Sequence, residues 1–363
     1  MRRQRQADRN HPGALPRSPS GHIPRVDVND GKMATKARVA LEEYGAVIFS
    51  GAASNDELKE GERLYWKWLR ENTPSGVRPE RAESFSNSNW NQLCFPKNGV
   101  CSKYGVGQSE FMWHCRLLPG VRSAFCAVWG GDDLITSFDG WGAYRNPWIA
   151  GGNTSWLTTG GWFHIDQSYH SNPGLTSYQG ILNFFPANAS TGSTVLVLGS
   201  HRKFEKIFDG KRNIKPVRQN TVDYVKVTRE EDYEKYLRHA VQATLQPGDL
   251  LLFDSRTIHC AQGIDYEAGV EKVMPGREDH PLARLVAYIT MIPRTFTKKK
   301  KHVKGARRKG KGNRNHVEKS RRHYVENGLT SGHNPLVSKP LETSIKPKSY
   351  RAPGNESPIW ELV

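Results

Sequence analysis

The sequence predicts a mainly β domain of sandwich or jelly-roll type, flanked by helices. Three observations carry this. Beyond Gly130 the chain breaks into short apolar runs punctuated by Gly, Pro and Asn. Such texture builds stacked or rolled sheets, whereas βαβ units would put long helical patterns between the strands. The stretch before Gly130 has helical periodicity and a helix-start signal, and an apolar content of 36% with 10% aromatics is enough for a sizeable core.

Taken in order, residues 1–33 are Arg-, Pro- and Gly-rich and are expected to be a disordered basic tail. KMATKARVALEEYGAVIF (32–49) reads as a helix running into a short strand at 46–49. Ser54 and Glu57 form a capping box ahead of DELKEGERLYWKWLREN (56–72), a second helix. Phe111, Cys115, Leu118, Phe125, Ala127 and Val128 mark a further helical stretch at 108–129. Strands are expected at 134–140, 161–167, 177–185, 193–201, 240–246, 249–255 and 284–292. PANASTG (186–192) reads as a hairpin connector, and the charged stretch 203–240 as helical insertions. The domain is expected to span 34–297, followed by a basic, largely disordered tail over 298–363. No internal repeat is visible.

The net charge of +17 is unevenly placed. Residues 298–322 carry thirteen Lys/Arg against one Glu, and residues 1–25 carry six Arg against one Asp. Those two segments account for the whole excess, so the body between them is neutral. That excludes a DNA-binding surface spread over the whole domain, and leaves open a nucleic acid or acidic partner for residues 298–322. No aromatics interleave with the cations there, so base stacking is not indicated. No apolar run approaches the ~18 residues that span a bilayer, and no secretory h-region is present. Five cysteines (94, 101, 115, 126 and 260), odd in number and lacking CxxC spacing, are expected to be reduced thiols. An intracellular protein follows, cytoplasmic or nuclear, with organellar targeting by the Arg-rich N-terminus left open.

GWFHIDQSYH (161–170) raises the question of chemistry. In an extended segment residues i and i+2 share a face, so His164 and Asp166 can address one ion. Alone the pair is an ordinary strand-end feature. Downstream, LQPGDLLLFDSRTIHCAQG (245–263) gives a turn, an apolar strand and then His259, a candidate third ligand from a distant strand. Two imidazoles and a carboxylate form a ligand set suited to Fe(II), although Mn and Co accept it too, as would a cupin-like enzyme of other chemistry. In RLVAYITMI (284–292), Arg284, Val286, Tyr288 and Thr290 share one face. A guanidinium buried on that face needs an anion, and a dicarboxylate ligand would serve.

HID at 164–166, QG at 179–180, GSH at 199–201, PGDLLLFDS with His259, and an Arg on the next strand together resemble the phytanoyl-CoA dioxygenase (PhyH-like) family over roughly residues 40–295. The resemblance implies a double-stranded β-helix core, of the jelly-roll or cupin-like kind. It implies Fe(II), 2-oxoglutarate and O2 as cofactor and cosubstrates, and hydroxylation of a small organic substrate. It makes His164, Asp166 and His259 the metal ligands and Arg284 the partner of the cosubstrate's distal carboxylate, with Gln179 and Asn183 lining the pocket. Related halogenases lack the carboxylate, so Asp166 favours hydroxylation. Two departures stand out. Arg284 follows His259 by 25 residues, later than the family places its Arg, so 264–283 is read as a loop insertion containing a rival, Arg277. Leu198 stands where the family often has Pro. His201 is read as structural and Trp162 as a core residue. His170 is a minor candidate ligand. The other class of reading is an inactive jelly roll that binds through its lysine-rich tail.

Overall fold

The computed structural model describes residues 22–149, 153–167, 173–205, 224–227, 239–298, 314–336, 340–341, 346–347 and 349–363. Strand β1 (Arg25–Asp27) pairs in parallel with β2 (Ala46–Ser50), across helix α1 (Met33–Tyr44). Gly45 ends α1 in the left-handed region at φ 75°, donating its N–H to Leu41. A Cβ there would collide with the His201 ring and the Thr257 hydroxyl, so only glycine makes this helix-to-strand turn. Helix α2 (Asn55–Asn72) starts on the expected capping box: Glu57 N–H donates to Ser54 Oγ at 3.3 Å, and Ser54 N–H to Glu57 Oε2 at 2.7 Å. Such a cap stabilises a helix by about 1 kcal/mol.

After α3 (Asn87–Leu93) and β3 (Val100–Cys101), the helical stretch expected at 108–129 is two helices, α4 (Glu110–Leu117) and α5 (Pro119–Trp129). Pro119 has no N–H to continue the first helix and forces Leu118 to an extended conformation (ψ 129°). The cysteine expectation also needs correction. Cys94 and Cys101 are joined in a disulfide that ties the end of α3 to β3, and only Cys115, Cys126 and Cys260 are free. The turn between the pair closes with Phe95 N–H on the Val100 carbonyl, at 2.8 Å. The thiol argument for an intracellular compartment therefore falls away.

The remaining strands are β4 (Leu134–Thr136), β5 (Trp141–Arg145), β6 (His164–Ile165), β7 (Tyr178–Asn183), β8 (Thr194–Val197), β9 (Val225–Lys226), β10 (Ala240–Gln242), β11 (Leu250–Asp254), β12 (His259–Ala261) and β13 (Leu282–Pro293). They form two sheets. An eight-stranded sheet runs β1-β2-β11-β7-β13-β5-β3 with β4 also on β13, and a five-stranded sheet runs β10-β8-β12-β6-β9. This is the double-stranded β-helix. The connector 186–192 is not a hairpin: β7 pairs with β11 and β13, whereas β8 pairs with β10 and β12. Both strands are buried along nearly their whole length, each between neighbours of its own sheet, so the connector crosses between sheets. Of the stretch 203–240, residues 206–223 and 228–238 lie outside the described residues, and the part between them supplies β9. The insertion at 264–283 holds the short helix α6 (Val270–Val273).

Period-two alternation sorts the larger sheet's two faces. Phe49, Leu182, Leu250, Leu252, Leu285, Ala287 and Ile289 pack outward against helix residues such as Tyr65, Trp68, Phe111 and Phe125. Ile48, Ile181, Leu251, Phe253 and Val286 face inward and meet Leu196 and Val241 of the smaller sheet. Among the described residues no helix is long and apolar enough to cross a membrane.

Both expected tails contribute structure. Ile23 and Val26 are buried, and Arg25 pairs with Asp249 at 2.7 Å. Helix α7 (Arg314–Asn327) docks on the barrel, burying Tyr324 and Val325, and Leu362 is buried too. Its anchor is Arg321, 2% exposed, which donates to the carbonyls of Thr136, Pro335, Leu362 and Val363 at 2.7–2.9 Å. Only residues 299–313 of the lysine-rich run lie outside the described residues. Replacing the anchor, Arg321→Ala, leaves those carbonyls unpaired and is expected to cost roughly 3 kcal/mol or more in urea unfolding. An unchanged midpoint would mean that the C-terminal segment does not dock.

Candidate metal centre

The site sits on the smaller sheet. β12 and β6 pair antiparallel with His259 directly opposite His164, and the two rings lie 4.2 Å apart, centroid to centroid. Asp166, two residues past His164, returns to the same side. Its carboxylate oxygens lie 3.5 Å from His164 Nε2 and 3.2 Å from His259 Nε2. One ligand atom from each residue falls within 4.8 Å of the other two.

Both imidazoles are oriented from behind. His164 Nδ1 meets the Trp162 carbonyl at 3.2 Å and His259 Nδ1 the Thr257 carbonyl at 3.0 Å. A carbonyl can only accept, so each Nδ1 carries a proton, which in the neutral ring leaves Nε2, the atom nearest the carboxylate, to offer its lone pair. That is the tautomer a metal needs, fixed by its outer partner. Trp162, read as a core residue, stacks on His164 with centroids 3.9 Å apart, and Phe253 packs against His259 at 4.6 Å. Burial, with His259 adding to it, pushes His164 down to about 3, so its ring is neutral at pH 7. Burial alone would raise the Asp166 carboxyl. The imidazoles of His333, His259 and His164 more than reverse this and hold it below the usual carboxylate range.

Arg284, on β13, reaches into the same interior and is 3% exposed. Its guanidinium donates to the Tyr144 hydroxyl at 3.0 Å and to Thr194 Oγ1 at 3.3 Å, and its Nε–H has no partner. Two hydroxyls are weak company for a buried cation, and among the described residues no carboxylate pairs with it. Arg277 points elsewhere. It lies 3.6 Å over the Phe185 ring and donates to the Leu282 carbonyl, on the helix-covered side. Gln179 shares β7's inward face with Ile181, beside Phe253 and Thr290, and its amide nitrogen is buried without a partner. Asn183 is engaged differently. Its amide nitrogen donates to the carbonyls of Phe185 and Gln246, clamping the corner where the chain leaves the sheet. His201 bonds to the Glu42 carbonyl at 3.0 Å beside Gly45, away from the triad, and His170 lies outside the described residues.

Four residues near the site went unread in the sequence as its members. Tyr144 and Thr194 hold Arg284, and no local signal marks them. Tyr288 shares Arg284's face and lies close enough to feel both Arg284 and Asp166. His333 comes from the segment expected to be disordered, with Nε2 3.3 Å from the Asp166 carbonyl.

A two-sheet roll that carries two imidazoles, one carboxylate and a buried guanidinium on its inner surface is a double-stranded β-helix with a candidate metal centre. The family resemblance is borne out: the model of the family described as phytanoyl-CoA dioxygenase (PhyH) matches residues 150–264, which include the triad and stop short of Arg284. The chain is 30% identical to Ava biosynthesis cluster protein O of Aspergillus versicolor over 205 residues, covering 54% of this chain and 59% of that protein. The chain thus spans less than two thirds of that relative. Among solved structures, it resembles hypothetical protein JW0805 of Escherichia coli, with TM-score 0.51, 11% identity, and 89% and 80% of the two chains covered. It is also similar to EctD of S. alaskensis with 2-oxoglutarate and 5-hydroxyectoine, with TM-score 0.44, 15% identity, and 76% and 79% covered.

The burial of His164 predicts a pH dependence for the metal-free protein. The unfolded chain takes up this proton near 6.5 and the folded chain only near 3, so the stabilising contribution is full above 6.5 and is lost as pH falls from there toward 3. The urea midpoint is expected to drop between about pH 7.5 and about pH 5, and His164→Gln to flatten that drop. Equal slopes in both proteins would show that the ring is not held neutral.

Proposed function

We propose that the protein is an Fe(II)- and 2-oxoglutarate-dependent dioxygenase that hydroxylates a small organic substrate. His164, Asp166 and His259 would hold the iron, and Arg284 the distal carboxylate of 2-oxoglutarate. The observation that carries this is the buried, carboxylate-free Arg284 facing the same interior as the triad. A guanidinium so placed, held by two hydroxyls alone, is stabilised further when an anion joins it, and its planar fork matches a carboxylate. A two-imidazole, one-carboxylate set suits Fe(II) and leaves positions open for the cosubstrate and O2. Bound there, Fe(II) would activate O2, the oxidant, for the overall conversion of substrate, 2-oxoglutarate and O2 to hydroxylated product, succinate and CO2.

The rest is the work of this chain's residues. Trp162 and Thr257 fix the two ring orientations. Tyr144 and Thr194 hold the Arg284 fork in place, so 2-oxoglutarate enters a prepared site and loses less entropy on binding. Phe253 and Trp162 pack against the ligand rings and keep bulk water off them. Gln179 is assigned to the pocket lining through its free amide, and Asn183 to the sheet corner. The relative's name places it in a biosynthesis cluster, which supports a small biosynthetic intermediate as the substrate class.

No observation favours an inactive protein that binds nucleic acid or an acidic partner through residues 298–322. Two cations of that run are engaged internally, Arg321 as described and Arg322 with Glu326 at 2.9 Å and over the Trp360 ring.

Anaerobic Fe(II) with 2-oxoglutarate is expected to give the visible metal-to-ligand charge-transfer band. Arg284→Ala should raise the 2-oxoglutarate concentration needed for that band by roughly tenfold or more, the loss of a charge-assisted bond pair. Asp166→Ala should abolish succinate release. Wild-type succinate release from both variants would refute the residue assignments.

A further inference from the structure

Strand β6 ends at Ile165, so Asp166 lies one residue beyond the ladder. The two imidazole ligands take their orientation from carbonyls within two residues in sequence. The carboxylate's main chain is held from much farther away, by His333.

The segment that carries His333 is firmly placed. Gln108 donates to the Leu329 carbonyl at 2.9 Å, and Gly107 N–H to Thr330 Oγ1 at 3.1 Å. Ser331 N–H donates to the Phe138 carbonyl at 2.9 Å, and Phe138 N–H returns a bond to Ser331 Oγ at 3.3 Å. Beyond His333, the Pro335 carbonyl accepts from Arg321 at 2.8 Å. Thr330 and Ser331 are buried. These bonds bracket residue 333 on both sides and lay the segment along 137–140, between β4 and β5. The Asp166 carbonyl can only accept, so the imidazole donates through Nε2–H.

We propose that His333 is a positioning residue of the metal centre, and that the C-terminal segment around it completes that centre by fixing the main chain of Asp166. This rests on the triad being the metal site. Its consequence is distinct, namely that metal affinity depends on a residue far outside the barrel strands. Groups that orient a ligand from behind commonly account for 10–100-fold in metal affinity, and a single donor to a ligand's main chain belongs at the lower end.

The test uses the full-length, metal-stripped protein titrated anaerobically with Co(II) alone, read by its visible d–d bands. His333→Ala is expected to raise the Co(II) dissociation constant about tenfold, as is His333→Phe, which fills similar space without a donor. His333→Gln keeps an N–H donor and should recover most of the affinity. Should the alanine variant fail to fold, the Phe and Gln pair carries the comparison, with circular dichroism melts of the metal-free proteins as the folding control. Wild-type Co(II) affinity in folded His333→Phe, alongside loss of binding in Asp166→Ala, overturns the role of His333 and leaves the triad standing. Equal weakening in the Phe and Gln variants overturns it as well, because the donor would then be irrelevant. If Asp166→Ala binds Co(II) like wild type, the triad reading fails and takes this proposal with it.

Discussion

Everything the site does depends on the register of β12 against β6. Residue 259 stands opposite residue 164 in a pair only three residues long on one side and two on the other. Side chains alternate faces with period two, so a slip of one residue would turn one imidazole out of the barrel and leave no ligand set. So short a ladder cannot hold its own register. The flanks do it: Gly161 N–H bonds to the Ala261 carbonyl at 2.7 Å, Gln262 N–H to Ser193 at 2.8 Å, and Ile258 N–H to the Ser200 hydroxyl at 2.9 Å. β8 pairs along the other edge of β12, with Leu196 also opposite His259. The GSH stretch thus acts through its serine as a register lock and through its histidine as a brace against Gly45.

The buried arginines show how this fold treats charge. Arg116 donates to the carbonyls of Gly107 and Asp139 and lies over the Trp113 ring, and Arg321 gathers four carbonyls. Burial pushes both down to about 9, and both tie loops that have no sheet to rest on. Arg284 is the exception, since its partners are two hydroxyls that can hold it without neutralising it. Structural guanidiniums here are surrounded by carbonyl oxygens. The one that faces the triad is left able to take an anion.

Much of this was legible in the sequence because it is local. His164 and Asp166 share a face by spacing alone, the apolar run before His259 announces a buried strand, and Arg284 opens a run whose alternation points it inward. What was missed is non-local. Nothing in PANASTG tells a hairpin from a sheet crossing, since both need a turn-rich link, and only the partners of β7 and β8 decide. Pro119 was a readable helix break that the apolar spacing around it obscured. The Cys94–Cys101 pair depends on a turn that sequence spacing does not reveal. The C-terminal segment looked disordered because it has few apolar residues. It docks instead through a few scattered apolar side chains, Tyr324, Val325 and Leu362 among them, together with one buried arginine and a series of backbone bonds, a combination that mean hydropathy cannot register.

His333 lies forty residues beyond the end of β13, the last strand of the barrel. Translation proceeds from the N-terminus and domains fold as they emerge. The nascent chain therefore has all its sheet strands before it has the segment that covers the carboxylate ligand. Until residue 333 arrives, the Asp166 carbonyl lacks the donor that the finished fold gives it, so the outer support of the carboxylate residue is the last part of the site to be assembled.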